Sequence, residues 1–313
     1  MATSILNASH FQSEGAAFEY VEAKLWPNGP VCPFCGEKER IGRLNGATTR
    51  PGLCKCYKCR KPFTVRIGTI FESSHLALHL WLQIIHLMCA SKKGISSRQI
   101  QRMLDCSMKT AWFLSHRIRE AMKTEGLGPL GGEGMTIEAD ETFIGAKAGR
   151  KKSRPVVEKQ SVFSLVERSG RVRSMHVPNV RANTLREAIA ENASRQSRLM
   201  TDENRAYTFI GWNFAGHEVV NHGREEYVRG EAHTNSVEGF FSILKRGLYG
   251  TYQHVSDTHL SRYLVEFDFR YSNREKLGVD DVSRADIALA GVKGKRLTYR
   301  TTRGVLRAEA PAA

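Results

Sequence analysis

Apolar residues change their spacing along this chain. From Leu76 to Met122 they recur mostly every three or four positions, through Leu76, Leu80, Ile84 and Leu87 and later Ile100, Leu104, Ala111, Leu114 and Ile118, which lays a stripe along helices. A glycine-rich run, Gly126 to Gly134, ends that pattern and reads as a linker. Beyond it the period falls to two. Met135 to Ile144, Ser161 to Glu167 and Val172 to Val177 are predicted strands, the last two joined by a turn at Ser169-Gly170. A helix from about Asn183 to Ala193, a short strand Arg198 to Thr201, irregular chain and a helix from about Asn235 to Arg246 follow. Strands and then mixed strands and helices describe an α/β layer with a mixed central sheet. Upstream of the helices, Gly29 to Phe71 is rich in Cys, Gly, Lys and Arg and lacks long apolar runs, as expected of a small domain held by metal. The chain therefore divides into an N-terminal segment with that small domain (1–75), a helical domain (76–127), an α/β domain (128–290) and a basic tail (291–313).

Two Cys-x-x-Cys pairs, Cys32/Cys35 and Cys56/Cys59, are separated by 20 residues. Two thiolates at this spacing on a tight turn reach one ion, and two such turns supply the four tetrahedral ligands that Zn²⁺ prefers. Phe34, Tyr57 and Phe63 are available to pack around such a zinc ribbon. The redox alternative needs a single pair beside a βαβ pattern. Cys54 is a rival to Cys56, but its distance from Cys59 is too wide for a knuckle. Cys89 and Cys106 lie on or beside apolar helical faces and read as inert core thiols.

Ser97 to Leu104, a short turn at Asp105-Cys106-Ser107, and Met108 to Met122 have the layout of a helix-turn-helix. Ser107 can cap the second helix. With Ala111, Leu114, Ile118 and Met122 facing inward, Lys109, Thr110, Phe113, His116 and Arg117 would face a DNA groove. The alternative is a helical hairpin in a connecting domain.

The chain has 313 residues, 41% of them hydrophobic, which is enough to build packed cores and excludes disorder as a description of the whole. Its most apolar stretch, Leu76 to Ala90, has 15 residues interrupted by His79, Gln83 and His86, too short to cross a membrane. The first residues lack a basic and apolar leader, so the expected location is the cytoplasm. A formal charge of +15 points to a polyanionic partner. Its distribution is uneven: residues 1–130 carry +9, residues 131–290 carry +1 and residues 291–313 carry +5. The basic ends suit DNA backbone, as does the cluster Lys147, Arg150, Lys151, Lys152 and Arg154.

Acidic residues in the neutral middle fall at informative places. In the strand Thr136 to Ile144, alternation puts Ile137, Ala139, Glu141 and Phe143 on one face and Glu138, Asp140, Thr142 and Ile144 on the other. The more apolar face packs on a helix, leaving Asp140 to open onto a site. Asp202 ends the strand Leu199 to Thr201, where a turn-capping Asp is the rival reading. Glu238 lies on a helix whose buried stripe is Val237, Phe240, Phe241 and Leu244, with Ser242 and Lys245 on its own face. Its rival role is a capping box with Asn235. Three such acids can jointly bind two divalent ions, Mg²⁺ being favoured by hard oxygen ligands and Mn²⁺ able to substitute.

Taken with CPFCG, CYKCRKPFTVRIGTIFESS, AWFLSHRIREAM, ADETFIG, TDENRAY and HTNSVEGFFSILKRGLYGTYQHVSDTHLSRYLVEFDFRYSNR, these features resemble the DDE transposases of bacterial insertion sequences, in the zinc-ribbon group related to Merlin elements. The resemblance runs from about Phe18 to Arg274, and 35 residues separate Asp202 from Glu238. It implies a ribonuclease H-like domain in which Asp140 bridges two metals, Asp202 and Glu238 complete their coordination, and Lys245, with Arg246 beside it, contacts DNA phosphate. Family members vary at the third acid, and Asn235 and His233 are near rivals for that position. The implied reaction is hydrolysis at the element's ends and joining of the freed 3′-OH to target DNA, by a dimer or higher assembly on double-stranded DNA in the nucleoid. The alternatives are a zinc-ribbon regulator that binds without cutting and a nuclease without strand transfer.

Neutralising the basic tail is expected to weaken binding to DNA of any sequence and to flatten its salt dependence. An unchanged slope of log affinity against log salt would assign the tail to solubility alone.

Overall fold

A computed structural model describes residues 4–124, 126–145, 159–221, 223 and 228–298. Lys147, Arg150, Lys151, Lys152 and Arg154, like Arg300, Arg303 and Arg307, lie outside these residues. Two helices, α1 (Ser9–Gln12) and α2 (Glu14–Leu25), precede a small antiparallel sheet, β1 (Ile41–Arg43), β2 (Cys54–Cys56) and β3 (Pro62–Phe63). The helices α3 (Leu78–Ala90), α4 (Ser97–Leu104) and α5 (Met108–Met122) match the expected spans closely. The strands β4 (Thr136–Ile144), β5 (Gln160–Glu167) and β6 (Val172–Val177), helix α6 (Ala182–Asn192), strands β7 (Arg198–Thr201) and β8 (Gly216–Val219), and helices α7 (Asn235–Gly247), α8 (Asp257–Ser272) and α9 (Asp281–Ala290) complete the order.

The main sheet runs β6-β5-β4-β7-β8. β4, β5 and β6 form an antiparallel meander, whereas β7 and β8 run parallel to β4, so the sheet is mixed and β4 is central. Both faces of β4 are covered. Ile137 and Ala139 meet Leu185 and Ile189 of α6, and Ile144 shares a core with Val237, Phe240 and Leu244 of α7 and Leu260 and Leu264 of α8. Asp140 therefore lies on the α7 and α8 side of a sheet that is sandwiched, rather than on a face left open.

A separate helical core joins distant parts of the sequence. Phe18 and Val21 of α2, Trp81 and Ile85 of α3, Ile118 of α5 and Leu289 of α9 pack in one cluster, which also takes in Val292. The chain after α9 therefore does not behave as a loose tail over 291–298. Gly294 N–H donates to Gly68 O (2.8 Å), Lys295 Nζ donates to the carbonyls of Ala121 and Lys123 at the end of α5, and Arg296 pairs with Glu72 at 3.5 Å. A Lys at a helix C-terminus satisfies carbonyls that have no partner within the helix.

Helix α8 ties this body to the sheet, packing on β6 and on α5. At the junction Glu266 is fully buried between Arg119 (Nε–Oε2, 2.7 Å) and Arg270, and accepts from Tyr252 Oη at 2.6 Å. Burial alone would raise the Glu266 carboxyl, but Arg270 and Arg119 outweigh it and hold it at about 2. Because this folded-state value lies below the ordinary 4.5, the stabilisation is complete above that pH and is lost as pH falls towards 2.

Glu266→Ala leaves two buried guanidinium groups uncompensated and is expected to cost about 3–5 kcal/mol. Thermal unfolding at neutral pH reads this directly, and an unchanged Tm would show that α8 is held to α5 by apolar packing alone.

Candidate functional site

The four expected zinc ligands come together at one end of the small sheet. Cys32 Sγ is 3.6 Å from Cys59 Sγ, and Cys35 Sγ is 3.6 Å from Cys56 Sγ. Among the described residues, these cysteines are the one group of three or more ligating side chains whose ligand atoms all lie within 4.8 Å of one another. A tetrahedron with Zn–S bonds of about 2.3 Å has sulfur–sulfur edges of about 3.8 Å, so the cage fits Zn²⁺. Gly36 and Arg60, each following the second cysteine of its pair, both have a left-handed backbone, with φ of 72° and 62°. Cys54 lies two residues before Cys56 on β2, buried opposite Phe63, and is not part of the cage. Of the aromatics expected to pack here only Phe63 is buried; Phe34 and Tyr57 are exposed, and Trp26 packs against Phe63 instead.

The helical hairpin forms as expected at its turn. Ser107 Oγ accepts from Thr110 N–H at 3.1 Å, and Ala111, Leu114, Ile118 and Met122 are buried. The opposite face departs from expectation. Lys109 and Thr110 are exposed and Phe113 is half-buried, but His116 and Arg117 are buried at 0% and 5% exposure. Arg117 donates to the carbonyl of Glu72 and lies over the rings of Trp81 and Phe113. Its expected place in a groove is thus taken by internal packing, because α5 is enclosed on more than one side from Leu114 to Arg119. Burial, with Arg66 and Arg296 nearby, lowers this guanidinium to about 10.

In the α/β layer, β4 organises the acids. Its parallel register with β7 pairs Glu138 with Met200, the last paired residues, and Asp140 and Asp202 each follow two residues later. Asp202 is near enough for its charge to act on Asp140. Asp140 Oδ1 accepts from Glu141 N–H (2.7 Å), and Asp202 Oδ1 accepts from Asn204 N–H (3.1 Å). Glu238 is exposed in the first turn of α7, and Lys245 is half-exposed two turns on. Arg246 turns back to Ser242, with Nε 3.1 Å from its carbonyl and Nη2 2.6 Å from its hydroxyl. Burial pushes the Asp140 carboxyl up to about 8, helped by the negative charges of Asp202, Glu141 and Glu238. Their charges thus oppose ionisation of Asp140, though Asp140, Asp202 and Glu238 as a trio stand wider than the cysteine cage.

Two neighbours of Asp140 have roles that sequence reasoning missed. Glu138, fully buried, accepts from the backbone N–H groups of Ser236 (2.8 Å) and Val237 (3.0 Å), from Ser236 Oγ (3.0 Å) and from Arg168 Nε (2.7 Å). It is therefore the cap of α7, supplied from β4. The local capping box at Asn235 does not form; Glu238 instead accepts from Thr234 Oγ1 at 2.8 Å. His233, a rival third ligand by sequence, sits with Nδ1 3.3 Å from Glu138 Oε1 and so faces the cap. On the opposite face, Glu141 accepts from Asn204 Nδ2 and from Tyr207 Oη, which fixes the loop that follows Asp202. The available signal was the acid-rich run Glu138-Ala139-Asp140-Glu141, too many carboxylates on one strand to serve a single purpose.

Serine replacement of Cys32, Cys35, Cys56 or Cys59 is expected to lower bound zinc from one ion per chain towards none, measured by elemental analysis of the purified protein. Cys54→Ser should keep its zinc. Loss in Cys54→Ser with retention in Cys56→Ser would reverse the ligand assignment.

Two family matches fall along the chain, a transposase zinc-ribbon domain over residues 12–62 and an ISXO2-like transposase domain over residues 129–272. A Halobacterium salinarum protein described as an uncharacterized protein in transposable element ISH50 is 29% identical over 282 residues, covering 83% of this chain and 91% of that protein. A Haemophilus influenzae protein described as an uncharacterized transposase-like protein is 28% identical over 105 residues, 34% of this chain and 84% of its own. Among solved structures, the mariner Mos1 paired end complex with Mg is similar at a TM-score of 0.25 and 12% identity, over 62% of this chain and 71% of that one. A transposase zinc-ribbon domain and an ISXO2-like transposase domain thus follow one another along the chain.

Proposed function

We propose that this protein is a transposase, a DNA-cleaving and DNA-joining enzyme of the DDE type, whose ribonuclease H-like layer holds Mg²⁺ through Asp140, Asp202 and Glu238. The observation that carries the reading is the placing of the half-buried Asp140 carboxyl amid Asp202, Glu141 and Glu238, where desolvation and their charge push it up to about 8. Such a group is costly without a cation, and hard carboxylate oxygens are the donors that Mg²⁺ and Mn²⁺ take. The strand order β6-β5-β4-β7-β8, with its antiparallel meander followed by two parallel strands, supports the ribonuclease H-like reading. When bound, divalent ions would acidify a water and stabilise the oxygen that leaves phosphorus.

The chain's own residues divide the work in this scheme. Asp140 and Asp202 are held by backbone N–H groups, so their carboxylates are oriented before a cation arrives. Glu238 is presented from α7, a helix pinned at its start to β4. Lys245 would meet a DNA phosphate, while Arg246 would have to release Ser242 to do the same. Lys109 and Thr110, exposed at the start of α5, are proposed DNA contacts with the half-buried Phe113 at their side. No nucleophilic side chain is needed, since water and then a 3′-OH attack phosphorus. Joining two ends requires two copies of the site, so a dimer or larger assembly on double-stranded DNA is part of the proposal.

The test incubates the full chain with Mg²⁺ and a duplex bearing the element's own ends, comparing wild type with Asp140→Asn. Cleavage at the 3′ ends by wild type, reduced at least about 1,000-fold in the variant, is expected for a group that holds the catalytic ions. Equal cleavage by both would refute the acid site, and binding without cleavage by wild type would identify a regulator.

A further inference from the structure

We propose that Phe209 and Trp212 form a stacking platform for an unpaired nucleobase on the loop that follows Asp202. This rests on the DNA-processing function proposed above. Both rings stand out of the loop that follows Asp202, with 59% and 76% of their surface exposed, and they meet edge to face with centroids 5.1 Å apart. Large aromatic side chains ordinarily bury about 150–250 Å² each, and an adjoining pair left in water calls for a partner.

The loop is built to hold these rings outward. Asn204 Oδ1 accepts from Ala206 N–H and starts a short turn, Arg205–Tyr207. Tyr207 and Ile210 point inward, at 1% and 2% exposure, into the core shared with α6. Gly211, between the two outward rings, is buried against His217 so closely that an added Cβ would lie 2.0 Å from the imidazole Nδ1. His217 Nε2 is in turn 2.9 Å from Thr201 Oγ1, and Thr201 is the residue before Asp202. Through Gly211, His217 and Thr201 the aromatic turn is fixed in relation to the strand that carries Asp202.

Charge selects the occupant. Arg205 in the same turn is exposed, and so is Arg195, whose carbonyl accepts from Ala215 N–H at 2.9 Å and which therefore borders the turn. Glu203, the nearby acid, directs Oε1 to Gly223 N–H at 3.1 Å. Exposed basic side chains in and bordering a turn with two exposed aromatic rings match a strand that carries phosphates and flat bases better than an apolar protein surface. Paired bases in a duplex offer edges, whereas a base taken out of the stack offers its face. The platform thus suits a nucleotide displaced from the helix.

The test measures binding without added divalent cation, using single-stranded oligothymidine and a blunt duplex as probes. In Trp212→Ala and Phe209→Ala, affinity for the strand is expected to fall about ten-fold while affinity for the duplex stays within about two-fold, and Trp212→Tyr should keep most of the strand affinity. Unchanged strand affinity in both alanine variants would overturn the proposal. So would loss of self-association in Trp212→Ala with no change in DNA binding, which would assign the patch to a second copy of the chain. If Asp140→Asn cleaves like wild type while Trp212→Ala loses strand affinity, the acid site fails and the platform stands.

Discussion

A carboxylate with no exposure to water must be neutralised and fully hydrogen-bonded, and Glu138 meets that condition by binding separate parts of the chain. The backbone of Ser236 and Val237 brings the start of α7 to it, Arg168 brings the turn between β5 and β6, and Arg168 also donates to the carbonyls of Glu231 and His233, at 2.8 Å each. Helix N-termini favour negative charge. Here the charge comes from a strand, so the cap also sets where the helix sits on the sheet. Glu238, Lys245 and the apolar stripe of α7 inherit their positions from that one contact.

Glu141 performs the matching function on the other face of β4. It holds Asn204 and Tyr207, and Asn204 holds Asp202. Asp140 lies between the two clamps. Three acids within four residues of one strand are thus used differently, since Glu138 caps α7, Glu141 fixes the Asp202 loop and Asp140 is left as the one proposed to offer oxygen to a cation. The alternation of strand side chains separates the clamps onto opposite faces. Without it, Glu138 and Glu141 would compete for the same partners. The same loop carries Phe209 and Trp212, which is why an outward aromatic turn can keep a fixed relation to the acids.

Features set by short-range spacing were legible in the sequence. The zinc cage depends on two Cys-x-x-Cys turns, and the spans of β4, β5, β6, α6, β7 and α7 follow from local periodicity. Features set by distant partners were not legible. Glu138 bonds Ser236 across 98 residues and Glu141 bonds Asn204 across 63, so nothing near either residue reveals what it holds. Helix α8 escaped the periodicity reading because it is enclosed by both the sheet and α5, and its buried positions include Glu266 and Arg270 beside Leu260 and Phe267. Arg117 was misplaced for a related reason, since the one-stripe rule fails for a helix buried on more than one side. β8 is short and only half-buried, and so carries no alternation signal.

The most direct measurement of this account is Mn²⁺ affinity in Glu138→Gln, taken from titration by electron paramagnetic resonance, with circular dichroism and zinc content confirming an intact fold. Glu138 is placed to hold α7 in position and not to bind the cation itself. The account predicts that the folded, zinc-loaded variant binds Mn²⁺ about 10- to 100-fold more weakly than wild type, as expected when a partner that orients metal ligands is lost. An unchanged Mn²⁺ affinity in that variant would contradict it.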